Sequence, residues 1–177
     1  MKQQEIFQNT QIDLSQLPAA SDLVWRPLQR SYRQLLLLSS VLRCAVFIAL
    51  ITIVTPFVNI PIWLPFIAYI VVIAFTLFQI LAIFLGFPYK GYAQRTHDVL
   101  YKTGWLYKKQ IAVPFIRIQH VETRQGVFER AFGLSKINIY TAGGQSSDIT
   151  IPGLPEDDAR QLKEFILRET TSRDEEE

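Results

Sequence analysis

Cys44 to Tyr89 reads CAVFIALITIVTPFVNIPIWLPFIAYIVVIAFTLFQILAIFLGFPY, without one Asp, Glu, Lys, Arg or His. A spanning helix needs roughly 20 mostly apolar residues. This run has room for two, and it is interrupted in the middle by Asn59-Ile60-Pro61, with Pro56 and Pro65 on either side. Proline interrupts helices and favours turns. The stretch therefore predicts a hairpin of two transmembrane helices, about 37–58 and 62–87, within a membrane unit at 35–87. A secretory signal peptide does not fit, because the apolar run starts late and a second span follows it.

Outward from the hairpin, charge is unevenly distributed. Residues 1–43 hold five basic and three acidic side chains, residues 88–136 nine and three, and residues 137–177 four and ten. The basic excess thus flanks the apolar run. Arg26, Arg30, Arg33 and Arg43 precede the first span, Lys90, Arg95 and Lys102 follow the second, and the connection carries no charge. The positive-inside rule then predicts two cytoplasmic termini and an outward-facing turn. Arg43 sits close enough to the inner end to snorkel. Trp63, Tyr89 and Tyr92 are expected at the two interfaces, and Thr76 and Gln79 as partners of a neighbouring helix. A basic surface beside lipid suits an anionic leaflet, and no nucleic-acid motif accompanies it.

Residues 1–34 are too polar to form a core and predict an N-terminal cytoplasmic segment that packs on the following domain. From residue 88 the pattern changes to short alternating runs. Arg95–Lys102 and Trp105–Val113 around Thr103-Gly104 predict a hairpin, closed by Pro114. In Ile116–Arg124 the alternation sets Ile116, Ile118 and His120 against Arg117, Gln119 and Val121. A short helical piece at 127–132, strands at 136–141 and 148–151, and a turn at Gly143-Gly144 follow. Pro152-Gly153 is expected to end the last strand. Pro155 and the acidic Glu156-Asp157-Asp158 then start a helix whose Leu162, Phe165 and Ile166 share one face. The fold class is mixed membrane and β: a helical hairpin, then a small barrel or sandwich at 88–168 with a C-terminal helix, then an acidic disordered tail at 169–177.

The stretch VPFIRIQHVETRQGVFERAFGLSKINIYTAGG (113–144) carries a resemblance. Its Val-Pro before Arg117-Ile118-Gln119, its Gln125-Gly126, Glu129-Arg130, Phe132-Gly133-Leu134 and Thr141-Ala142-Gly143 resemble the signature of bacterial pleckstrin-homology-like (PH-like) membrane proteins of the YdbS type. RTHDVLYKTGWLYKK before it and IPGLPEDDARQLKEFI after it fit as well, so the resemblance covers about residues 88–168. It implies a PH-like barrel on the inner surface of the bacterial cytoplasmic membrane. It also implies, as partner, a longer relative of the same family.

No catalytic constellation emerges. His97 and His120 lack companions at metal-ligand spacing, Ser146 and Ser147 lack a nucleophile elbow and a base, and Gly133-Leu-Ser-Lys136 lacks the glycines of a phosphate loop. Cys44 stands alone, so no disulfide forms within the chain. The expectation is a membrane-anchored binding or scaffold module that recruits a protein partner, without enzymatic activity or cofactor; the alternatives are a receptor for anionic lipid or a small ligand, or a subunit of an export or stress-resistance assembly. Arg117, Gln119, Gln125 and Arg130 are the candidate partner or ligand surface; the other reading has Arg117 and Arg130 pair with Glu122, Glu129 or backbone carbonyls. Lys102, Lys108 and Lys109 are the candidate lipid contacts.

Overall fold

The computed structural model describes residues 23–141 and 149–174. Two long helices, α1 (Arg30–Val54) and α2 (Trp63–Gly86), form an antiparallel hairpin through a 3₁₀ turn at Thr55–Phe57. Only 6% of the apolar window of each helix is buried, which separates them from the core helices of a soluble protein. At about 1.5 Å per residue each is about 36 Å long, enough for a hydrocarbon core of about 30 Å. Phe47, Leu50, Ile53, Phe66 and Ile70 point outward. Side-chain hydroxyls inside the hairpin return to their own helix, as Thr76 does to the Val72 carbonyl at 2.8 Å. Thr52 Oγ1 and Tyr69 Oη meet at 3.1 Å, and Arg43 reaches Gln79 at 3.1 Å, so two polar contacts fix the helix pairing.

Two antiparallel sheets follow. One has the order β1-β2-β3-β4, from Arg26–Pro27, Gly91–Gln94, Asp98–Thr103 and Lys109–Pro114. The other runs β5-β6-β7, from Ile118–Arg124, Leu134–Thr141 and Ile149–Pro155. They stay separate sheets rather than closing into a barrel. Val99, Tyr101 and Val113 from the first share one core with Val121, Ile137, Ile139, Ile149 and Ile151 from the second. A short α3 (Val127–Ala131) links β5 to β6, and α4 (Glu156–Asp174) closes the core with Ala159, Leu162 and Ile166. Each buried Ile or Leu stabilises the fold by roughly 1.5–3 kcal/mol.

Several expectations change here. The expected packing of the N-terminal segment on the following domain takes the form of a strand and a core residue: Arg26 and Pro27 pair with Tyr92 and Gly91, and Leu28 is buried in the core. Tyr92 is likewise a core residue of β2, not an interfacial one, and β2 itself lies ahead of the expected first strand. Residues 105–108 form a turn, so β4 begins at Lys109. Phe115–Arg117 is a 3₁₀ turn, and a bulge between Ile118 and His120 resets the alternation of β5. Ile118 and Val121 therefore both face the core, while Ile116 and His120 are exposed.

β7 does not stop at Pro152-Gly153. Gly153 adopts φ +67°, which only glycine takes easily, and a side chain there would run into the Tyr32 ring. Its carbonyl accepts from the Gln29 N–H at 3.2 Å, tying β7 to the start of α1. At the other end, α4 continues to Asp174, past the expected onset of a disordered tail at 169. The Gly143-Gly144 turn, Asp148, Ser146, Ser147, residues 1–22 and residues 175–177 lie outside the described residues.

Candidate functional site

The foot of the hairpin, where α1 begins and α2 ends, gathers cations and aromatic rings. The Arg33 guanidinium lies 5.5 Å from the Phe84 ring centroid and 5.7 Å from that of Phe87. Lys90 Nζ stands 5.8 Å over Tyr32, and burial lowers the pKa of its ammonium from the usual value. Lys102 Nζ stands 4.4 Å over Trp25. Contacts of this kind contribute about 0.5–1 kcal/mol at exposed sites and about 2 or more when desolvated.

The β3–β4 turn is pinned to this foot. Gly104 has φ +92°, and a side chain there would collide with the Tyr107 carbonyl oxygen, so the tight reversal needs glycine. The turn presents Trp105, Leu106 and Tyr107 outward, with Tyr107 84% exposed. Trp105 Cδ1 lies only 3.1 Å from where a β-carbon on Gly86 would stand, so the indole packs on the last residue of α2. Beside it, Lys102, Lys108 and Lys109 line a cleft of about 200 Å³ with Pro88, Tyr89, Thr103, Gly104 and Gln110. Three lysines line this cleft and no Asp or Glu does. That composition suits a phosphate-type anion, and the neighbouring Leu106 and Tyr107 suit an apolar or interfacial surface.

The sequence therefore points to three lysines that the structure brings together. What it misses is the exposed Trp105-Leu106-Tyr107 crest beside them. The signal was present, as three large side chains directly after Gly104, but the run also has strand-like composition.

The other candidate residues are spread out. Arg117 is exposed at the start of β5 and Gln125 lies just beyond its end. At about 3.3 Å per residue these positions are some 20 Å or more apart. Gln119 is exposed at the bulge, and Arg130 is exposed on α3. Gln125 Nε2 donates to the Leu134 carbonyl at 3.0 Å, closing the β5–β6 connection. The expected ion pairs are also exchanged: Glu122 pairs with Arg124 at 2.7 Å and Glu129 with Lys136 at 3.7 Å. A cleft of about 340 Å³ between β5 and α4 mixes Arg124, Arg160 and Lys163 with Glu156 and Glu164, and Arg160 already binds Glu156. It selects no sign of charge. Among the described residues no group of three or more His, Cys, Asp or Glu is placed to hold a metal.

Residues 34–170 match the family described as Bacterial PH domain, which is more than half of the chain. The chain belongs to this family. The match begins inside α1 and ends inside α4, so this bacterial PH domain takes in the helical hairpin as well as β2 to β7. A curated relative is the UPF0699 transmembrane protein YdbS of Bacillus subtilis (strain 168), 31% identical over 77 residues. That alignment covers 44% of this chain and 46% of YdbS, so the chain spans less than half the length of this relative. No solved structure matches it. Together with two helices long and apolar enough to cross a membrane, these matches make the bacterial PH domain described here a membrane-associated, YdbS-type module.

Proposed function

We propose that this chain is a non-enzymatic binding module of the bacterial cytoplasmic membrane, with both termini cytoplasmic, that reads the anionic inner leaflet through its β3–β4 turn. The observation that carries this reading is the three-lysine cleft held against the end of α2 by Trp105. Near an anionic leaflet each lysine contributes about 1 kcal/mol. Such binding is weak for a free domain, but α1 and α2 tether this one, so no translational freedom is lost. The lipid then sets the tilt of the two sheets on the membrane.

The test uses the full chain in nanodiscs of phosphatidylcholine with or without phosphatidylglycerol. Amide hydrogen exchange across residues 102–110 is expected to slow on the anionic discs. The effect should fade with salt, because exposed charges are screened within about 8–10 Å. Changing Lys102, Lys108 and Lys109 to Gln should abolish it. Equal exchange on both discs would leave the lysines as solvated residues that keep the sheet edge from pairing.

Recruitment of a related membrane protein is the second reading. It is favoured by a different observation, the largely apolar crevice between α1 and α2 that Arg43 helps to line.

A further inference from the structure

Arg43 is the only charged side chain between Arg33 and Lys90. It stands about 15 Å further along the α1 axis than Arg33, at ~1.5 Å per residue. Arg33 marks the foot of the hairpin, so Arg43 lies well inside the span. The side chain turns back toward that foot by one helical turn. Its Nη2 donates across the hairpin to Gln79 Oε1 at 3.1 Å and along α1 to Ser40 Oγ at 3.2 Å. Both partners are neutral. Arg43 remains exposed and lines a crevice of about 300 Å³ that is otherwise lined mainly by apolar side chains such as Phe47, Val72 and Phe75.

A charge at this depth is costly, and such residues face a bundle interior where they find a counter-charge. Two helices supply only part of such an interior. A carboxylate at the same level would supply that counter-charge. A second copy of this chain cannot provide it, because its spans offer only another guanidinium. A lipid phosphate belongs at the interface, not this far along the helix. The small Ser40, Cys44 and Thr76 in the crevice allow another helix backbone to approach closely. We propose that the Arg43 crevice docks a transmembrane helix of a different membrane protein, one that carries Asp or Glu at the depth of Arg43. This deepens the partner-recruitment reading and rests on it.

The test places the full chain, acceptor-labelled at its N-terminus, in phosphatidylcholine vesicles with donor-labelled leucine-rich transmembrane peptides. These carry a single Glu, Gln or Leu at the matching depth. Energy transfer should show the Glu peptide associating at least about fivefold more tightly than the other two. Arg43→Gln, which can still bond Gln79, should erase that preference, and Arg43→Lys should keep most of it. Equal association of the Glu and Gln peptides with the wild-type chain overturns the proposal without reliance on any variant. Persistence of the preference in Arg43→Gln overturns it too. So does its loss when phosphatidylglycerol replaces part of the phosphatidylcholine, which would make the occupant a lipid. Association of the chain with itself through Arg43 would overturn it in favour of a homomeric contact. If the Glu preference is absent while one related membrane protein still co-isolates with both wild type and Arg43→Gln, recruitment stands and the Arg43 site falls. If neither occurs, both fall.

Discussion

Glu122 is an exposed-edge residue whose surroundings commit it to one ionisation state. Its Oε1 accepts from Tyr140 Oη at 2.6 Å and Asn138 Nδ2 at 3.0 Å, and Arg124 Nε lies 2.7 Å away. These bonds, the Tyr140 one foremost, hold its carboxyl down at about 2 from the ordinary 4.5, and the same bond pushes the Tyr140 hydroxyl up. Asn138 in turn accepts from Thr150 at 2.9 Å, so the set crosses β5, β6 and β7. A carboxyl with a depressed folded pKa stabilises the fold fully above its unfolded value and loses that contribution as pH falls through its folded value. The expected window therefore runs from 4.5 down to about 2. The thermal midpoint of the full chain in detergent should fall across that window, and Glu122→Gln should flatten the fall while leaving the neutral-pH fold intact. An unchanged acid limb in the variant would remove Glu122 from the account. From the sequence, Arg117 and Arg130 are among the candidate partners of this carboxylate. The actual partners follow from the β5–β6 register, in which Glu122 stands opposite Asn138, and from the bulge that turns Gln119 out of phase. Neither can be counted from residue types.

Among the elements, α4 was the most legible. Leu162, Phe165 and Ile166 lie one helical turn apart, and all three face the core, with Leu162 4% and Ile166 0% exposed. Phe165 meets Phe115 edge to face at 5.8 Å between centroids, which fastens the helix to the 3₁₀ turn before β5. Leu162→Ala should lower stability by roughly 2–5 kcal/mol, through lost burial and the cavity left behind. Phe165→Ala should cost less than a fully buried Phe, because its ring keeps some exposure. Denaturant unfolding of the full chain measures both, and losses under about 0.5 kcal/mol would mean the helix is not docked. The strands were less legible, and the reason differs in each case. In β7, Pro152-Gly153 has the composition of a break, yet Gly153 accommodates Tyr32 from a helix more than a hundred residues earlier. In the β3–β4 turn, Trp105, Leu106 and Tyr107 are strand formers by propensity, yet Gly104 reverses the chain and the packing of Trp105 on Gly86 keeps them out of the ladder. Tertiary contact overrode local preference at both places.

At the scale of the whole molecule, the apolar run and its basic flanks made the division into hairpin and β domain legible, and they also drew attention to Lys102, Lys108 and Lys109, which line one cleft. What could not be read was that the two parts share residues. Leu28 and the Arg26–Pro27 strand precede the hairpin yet complete the core and the first sheet beyond it. A fragment starting at residue 88 would lack both. The chain thus leaves the β domain, runs out through α1, and returns through α2 to the same domain, so both ends of the hairpin lie on one side. Our proposal that this side is cytoplasmic rests on the positive-inside rule, since Arg26, Arg30, Arg33, Lys90 and Lys102 all lie there and the Asn59 connection has no charge. Both positions needed for the test are exposed: Asn59 at the tip of the hairpin and Thr96 in the β2–β3 turn. In a background with Cys44 replaced by Ala, Asn59→Cys should react with a membrane-impermeant thiol reagent added to cells whose outer layers admit it. Thr96→Cys should react only after the membrane is opened. Because both ends of the hairpin join one folded domain, a mixed result, with both positions labelled from the same side, would break the hairpin itself. A reversed result would keep the hairpin and turn the lysine cleft away from the cytoplasmic leaflet, removing the anionic surface it is proposed to read.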